Sequence, residues 1–467
     1  MLMPVLWGEC CREVLAVQEH KTIQSFLEVV AEQIRWKRAR PVVTAELEHH
    51  LEDQRDAFAE DGFENAEALA VEEMGDPVTV GTELDRIHRP RPQWGMITLT
   101  VVLALAGTLL RILLTAEWKE VYLAESPLKA LTAFALGCVA LLAGYFLDYS
   151  RLSRHAGKIY LGTLAVSLVV ERYSPIINGA PYYARFITLL FPIVYALWLY
   201  SCRNKRWRGL VMSILGGVPL ALFCCDVPYM LGLAVHLISG LVLVVVAAWN
   251  DWFGIGRLRS LIPPLACVGA IMGMLTYMVM VLEWGAGRLS ATFHPEIDPL
   301  GQGFQALRIR DALVGSKWIG EGMWNAELFR RPYEMTVPGC ESDTFLPTVI
   351  YKLGWVPFLL LALVFAALML WLLFRCTKQK SQLGRLIVIA VVVSLSVQAM
   401  VSIAWNMGFT LLSASFPLII GNLNTMLNMG LIGLALSVFR GDSIARNSES
   451  SKIKRNRIRV RLIFERV

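Results

Sequence analysis

The triplet Glu341-Ser342-Asp343 sits in a polar stretch just ahead of an apolar run. A carboxylate in that place has two roles open to it. It can take a proton as a general base, or it can cap the helix that the apolar run begins, as Ser and Asp both do at helix starts. Residue types alone leave both roles open, and one side chain can hold both. His49 and His50 stand beside Glu46 and Asp53 at helical spacing, a donor set of the kind that binds metals. No other ligand cluster lies near them in sequence, so a solvated polar face is the favoured reading. Nine cysteines occupy positions 10, 11, 138, 202, 224, 225, 267, 340 and 376 without a CxxC pair. That spacing argues against zinc and against a disulfide framework.

The elements that position these residues belong to a membrane protein. Of 467 residues, 55% are hydrophobic and only 18% charged, and the mean hydropathy is +0.52. A soluble domain carries roughly 25% charged residues, so a string of soluble domains is excluded, as are a disordered chain, a disulfide scaffold and a fibrous repeat. The first twenty residues lack an apolar core with a cleavage site, so no signal peptide is expected. Ten apolar stretches are candidate spans, the third of them short: 94–114, 128–147, 157–171, 184–200, 208–224, 229–249, 260–282, 353–374, 384–405 and 413–438. With the N-terminus inside, the short inner connections carry thirteen bases and the short outer ones only Lys119, Lys129, Arg172 and Arg185. That asymmetry predicts an even number of spans and both termini cytoplasmic. Residues 283–352 then form a long extracellular loop between spans seven and eight. Loops of that length tend to be functional. Within it the stretch from Ala312 to Ile319 is apolar enough to fold back on the membrane. The expected fold class is all-α, a polytopic membrane protein with about ten transmembrane helices.

Residues 1–90 read as a small helical cytoplasmic domain. Ile23, Phe26, Leu27, Val30 and Ile34 share one helical face, and Val43, Leu47, Leu51 and Phe58 share a second. Gly62 suits a left-handed cap. Asn65 is placed to cap a third helix carrying Leu69 and Met74, and Asp76-Pro77 to start a fourth. Charge is segregated between the ends. Residues 44–76 hold twelve acids against Arg55 alone, whereas the last seventeen residues hold seven bases against Glu465. The tail, 441–467, follows a membrane segment, so anionic lipid is its expected partner; it has no nucleic-acid-binding fold or aromatic stacking motif, so no nucleic acid is expected.

Two resemblances follow from motifs. Glu46-Leu47, Gly62 and Met74-Gly75-Asp76-Pro77 resemble the permease prefix domain, a cytoplasmic appendage of bacterial membrane proteins with regulatory or interaction roles. The membrane portion, 91–440, resembles the FtsW/RodA/SpoVE family of shape, elongation, division and sporulation proteins. Asp298-Pro299, Gly301 and Gly303-Phe304-Gln305 are similar to that family's DP-x-G-x-GYQ, and Gly320 through Asn325 to its GKGLGN. Pro338 through Asp343, running on to Gly354-Trp355, is similar to its LPE-x-HTDF element without a gap. Leu147-Asp148-Tyr149, Gly384-Arg385 and Leu436 through Arg440 also fit.

The family resemblance implies a bacterial plasma-membrane peptidoglycan glycosyltransferase that polymerises glycan strands from lipid II beside a class B penicillin-binding protein. It implies Asp343 as the catalytic general base. Gln305, Asn325 and Arg185, at motif positions, together with Glu341, Arg308 and Arg310, are the candidate substrate-binding residues. The leaving diphosphate needs cationic help from Arg or from a divalent metal such as magnesium. Arg308, Arg310, Lys317, Arg330 and Arg331 are the loop's candidates, although loop solubility also explains each of them. The sequence departs from the family pattern at several points. Pro181-Tyr182-Tyr183 intervene between Asn178-Gly179-Ala180 and Ala184-Arg185-Phe186-Ile187, and 188–199 lacks the Glu and Lys of the family's QPSE element. Of the family's PLPFISYGGSS, the stretch Phe416 through Asn422 keeps the Pro and one Gly. Gly339 replaces the Glu of LPE and Glu341 the His of HTD. An alternative therefore stands beside catalysis: a non-catalytic relative with a regulatory or scaffold role in cell-wall synthesis, division or sporulation. A permease is disfavoured, because no internal repeat is evident and charged residues within the spans are few.

Overall fold

The computed structural model describes residues 22–37, 39–90, 92–116, 127–177, 179–227, 229–281, 283–323, 333, 337–419 and 423–441. Asn325, Arg330, Arg331 and the basic tail lie outside the described residues. The chain divides into two compact units, with a boundary between Pro92 and Gln93.

The N-terminal unit is built from α1 (Ile23–Gln33), α2 (Arg40–Glu60), α3 (Ala66–Met74) and α4 (Pro77–His88). Asp76 caps α4 by accepting the Thr79 N–H at 2.8 Å, with Pro77 at the first helical position where its missing N–H costs nothing. Gly62 closes α2 at φ +87°. Ile23, Phe26, Val30 and Ile34 pack with Val43, Leu47 and Leu51 in one core, as their helical spacing predicts. The third helix differs from its expected stripe. Ala66, Ala70 and Val71 are buried, while Met74 packs at the edge. Small side chains let α3 lie close on α2, and that proximity sets its rotation more than residue size does. Asn65 makes no side-chain cap bond. His49 is exposed and lies 3.4 Å from Glu52.

The second unit is the membrane body. Helices occur at all ten expected positions. Eight of them are long and apolar enough to cross a membrane: α5 (Trp94–Thr115), α6 (Pro127–Phe146), α9 (Ala184–Ser201), α10 (Arg206–Asp226), α11 (Met230–Trp249), α16 (Trp355–Thr377), α17 (Gln382–Asn406) and α18 (Leu423–Arg440). The third and seventh positions are filled by α8 (Ala156–Tyr173), which carries Lys158, Glu171 and Arg172, and by α12 (Arg257–Val281), which carries Pro263 and Pro264. Short elements join them: α7 (Tyr149–Arg154), a hairpin of β1 (Ile176–Ile177) and β2 (Ala180–Pro181), α13 (Glu283–Phe293), α14 (Phe304–Val314) and α15 (Phe345–Leu353). The chain is a polytopic, all-α membrane protein.

The centre of this unit is α17, which packs on α9, α11 and α16. Between α17 and α18, Gln398 and Asn428 exchange amide hydrogen bonds at 3.1 and 3.3 Å. Such pairs hold helices together where lipid offers no hydrophobic driving force. Gly144, Gly430 and Gly433 let α6 and α18 touch backbone to backbone; a Cβ at Gly144 would meet the Gly430 carbonyl. Residues 413–419, the start of the last apolar run, are not helical, and α18 is described from Leu423. Pro417 removes a donor, and Leu418 takes φ +71°, which ends helical continuity. Irregular backbone at this depth is tolerated where it lines a cavity, and the residues before Pro417 do line one.

Candidate functional site

The first residues of α9 and α11 and the last residues of α17 meet the 283–352 segment at one end of the bundle. A cavity of about 420 Å³ opens there, lined by Arg185, Tyr229, Arg288, Gln305, Pro338, Gly339, Ser342, Asp343, Thr344, Trp405 and Ser413, among others. It continues into a recess of about 20 Å³ that Asp343 shares with Arg185, Tyr229, Ser413 and Asn424. It also adjoins a chamber of about 240 Å³ lined by Arg288, Gln302, Gln305, Trp405 and Thr410.

Asp343 is carried on a turn, not on a helix start. Gly339 takes φ +69°, and its carbonyl accepts both the Ser342 and the Thr344 N–H at 2.9 Å. A glutamate would be strained at that φ, so the family's Glu could not simply be restored in this turn. Residue 344 stands at the cap of α15, and Thr344 makes no side-chain cap bond. Asp343 thus lies outside the helix and is not its cap. Three neighbours pin the turn. Asn406 of α17 donates to the Asp343 carbonyl at 3.1 Å, and Gln305 of α14 donates to Thr344 Oγ1 at 3.1 Å. Thr348 donates to the Cys340 carbonyl at 2.8 Å. Among the described residues, no hydrogen bond or ion pair holds the Asp343 carboxylate itself. It is half-buried and faces the cavity.

Arg185 enters from the other wall. The β1–β2 hairpin ends at Pro181, so the three residues inserted relative to the family pattern place Tyr182 against Arg185. The guanidinium carbon lies 4.3 Å from the centroid of Tyr182 and 4.9 Å from that of Phe186. Two aromatic faces fix its orientation without using its N–H groups. Its Nε is buried and has no acceptor. Tyr229 lines both the cavity and the recess beside Arg185 and Asp343.

The remaining expected site residues fall elsewhere. Arg310 donates to the Thr292 and Gly408 carbonyls at 2.8 and 3.3 Å. Arg308 pairs with Asp311 at 3.1 Å and lies over Phe304. Neither lines the cavity, and Glu341 does not either. Gln305 both lines the cavity and holds the Asp343 turn. In the stretch from Ala312 to Ile319, Ala312 is buried against Tyr333 and Cys340, while Trp318 and Ile319 are exposed. The sequence reading missed Arg288, Tyr229, Trp405 and Ser413. Arg288 belongs to no motif, since α13 precedes those of the loop, and Trp405 and Tyr229 look like ordinary span-end aromatics.

A divalent ion in this cavity would take Asp343 as its carboxylate ligand and would need phosphate oxygens of a substrate to complete its shell. Asp343 is the only carboxylate among the described lining residues. No group of three or more His, Cys, Asp or Glu among the described residues could hold an ion.

No family model and no curated protein matches the chain. Solved structures do. One is a chain from a study of the structural coordination of polymerization and crosslinking by a peptidoglycan synthase complex. It is 20% identical, with a TM-score of 0.58, covering 75% of this chain and 98% of that one. Another is the rod shape determining protein RodA of Thermus thermophilus, 16% identical with a TM-score of 0.50, covering 75% of this chain and 97% of that one. The chain has the RodA fold.

Proposed function

We propose that this is a divergent member of the FtsW/RodA family that polymerises peptidoglycan glycan strands from lipid II, with Asp343 as general base. The observation that carries this reading is the cavity itself. An unpaired carboxylate and an aromatic-clamped guanidinium share one recess at the bundle end, on the fold of RodA. The positive-inside asymmetry supports an outer-face position for that end, with both termini cytoplasmic.

The reaction joins a sugar hydroxyl to an anomeric carbon. The hydroxyl is a weak nucleophile, so Asp343 accepts its proton as the new C–O bond forms. The bond from the anomeric carbon to the diphosphate breaks, and the diphosphate leaves with the electron pair. Arg185 faces that developing charge, its orientation already fixed by Tyr182 and Phe186, so little reorganisation is needed. Gln305 and Asn406 keep the Asp343 turn in register. A class B penicillin-binding protein is the partner the family resemblance implies. The likeness to a chain from a peptidoglycan synthase complex that couples polymerization and crosslinking supports it. The prefix-like domain and the basic tail supply a cytoplasmic input and a contact with anionic lipid.

Purified full-length protein given labelled lipid II tests the reading. The wild type makes glycan strands, and Asp343→Asn lowers the rate by about 10²–10⁴-fold with unchanged melting temperature. Equal activity in the variant removes the base assignment. No strands from the wild type, with retained binding to a penicillin-binding protein, establishes a scaffold in its place.

A further inference from the structure

The polymerisation reaction brings together two lipid-linked saccharides, and each carries a diphosphate. The two phosphates stand in different places relative to the reacting atoms. On the donor, the diphosphate is attached to the anomeric carbon under attack, so it lies next to the general base. On the acceptor, the attacking hydroxyl is at the far end of the saccharide, a disaccharide away from its own diphosphate. A single cation beside Asp343 serves the first and cannot reach the second.

The cavity has a second cation. Arg185, Arg288 and Asp343 all line the 420 Å³ cavity, but Arg185 shares the small recess with Asp343, whereas Arg288 extends into the adjoining 240 Å³ chamber, which neither Asp343 nor Arg185 lines. Trp405 also lines both the cavity and that chamber. It is 8% exposed, and its indole N–H is buried without an acceptor. A flat apolar ring at a cavity wall with an unpaired N–H donor is suited to pack against a sugar and bond one of its oxygens.

We propose that Arg288 binds the diphosphate of the acceptor saccharide, that Trp405 carries the sugar between, and that Arg185 serves the donor's leaving diphosphate. The acceptor then lies from the 240 Å³ chamber toward Asp343, its hydroxyl losing a proton to the carboxylate. The products are the extended strand and a free polyprenyl diphosphate at Arg185. This inference rests on the polymerase reading and adds a direction to it.

The test uses the full-length protein in lipid nanodiscs, with lipid II as the probe. Strand synthesis is measured against lipid II concentration for the wild type, Arg288→Gln and Arg288→Lys. Lipid II binding is measured separately in Asp343→Asn, with and without Arg288→Gln. Arg288→Gln is expected to raise KM by about 10- to 100-fold with kcat within about twofold, and Arg288→Lys to recover most of that loss. Binding to the double variant weakens by a similar factor. Unchanged KM and binding in Arg288→Gln overturn the assignment, as does a fall in kcat at constant KM. If the wild type makes no strands, the polymerase reading fails while the binding arm still decides Arg288: lost binding upholds an anion subsite, and unchanged binding removes it.

Discussion

Asp85 and Asp343 are the same side chain in two regions of one molecule, and they are held in opposite ways. Asp85, 3% exposed in the N-terminal unit, has both oxygens occupied. The Arg35 N–H reaches one at 2.9 Å and the Arg89 guanidinium the other at 3.0 Å. Burial alone would raise its pKa, but the hydrogen bonds from Arg35 and Arg89 outweigh burial, and the carboxyl sits below its ordinary value. Asp343 has its backbone fixed by Asn406 and its carboxylate left open to a cavity. The arginines divide along the same line. Arg310 donates to two carbonyls, whereas Arg185 is steadied by aromatic faces that leave Nε without an acceptor. A polar group whose partners are all protein stabilises the fold; one held rigid with its polar atoms open is placed for something that arrives.

That contrast makes separable predictions. The largest concerns Arg185. Arg185→Ala is expected to cut kcat by about 10²–10³-fold, the effect of losing one preorganised charge-stabilising group, with little change in melting temperature. Arg310→Ala should do the reverse, costing about 1.5–3 kcal/mol of stability through its lost charged hydrogen bonds while folded protein keeps its rate. Kinetics and thermal denaturation on both variants check the pair, and equal kinetic losses would erase the distinction. A smaller effect is expected at Asp85. Asp85→Asn should destabilise the N-terminal unit by about 1–3 kcal/mol and leave strand synthesis intact. The pH dependence follows from its lowered pKa. The stabilisation is full above the unfolded carboxyl value of about 4 and is lost as pH falls through the lower folded value. Melting temperature against pH should therefore drop more steeply below about pH 4 in the wild type than in Asp85→Asn; parallel curves would remove Asp85 as the cause.

Much of the architecture was legible because it depends on composition and period. Apolar runs located the helices, and the Asp76-Pro77 start and the stripe from Ile23 to Ile34 located the N-terminal core. What the sequence hid depends on packing. The face of α3 was set by close approach to α2, and the non-helical backbone before α18 goes with the positive φ of Leu418. In the site, Asp343, Gln305 and Arg185 were legible through motif resemblance and share one cavity. Arg288 and Trp405 were not, because a lone base and a span-end aromatic carry no local pattern that tells cavity from surface. The loop bases Arg308 and Arg310 were visible as charge, but only the folded chain shows that their partners are Asp311, Thr292 and Gly408.

The central claim is that the Asp343 carboxylate meets the hydroxyl of a lipid-linked saccharide, and a structure of Asp343→Asn with bound lipid II tests it most directly. The account predicts the acceptor hydroxyl within about 2.6–3.2 Å of the side chain at position 343. A saccharide bound outside this cavity, or one whose hydroxyls all face away from position 343, contradicts it.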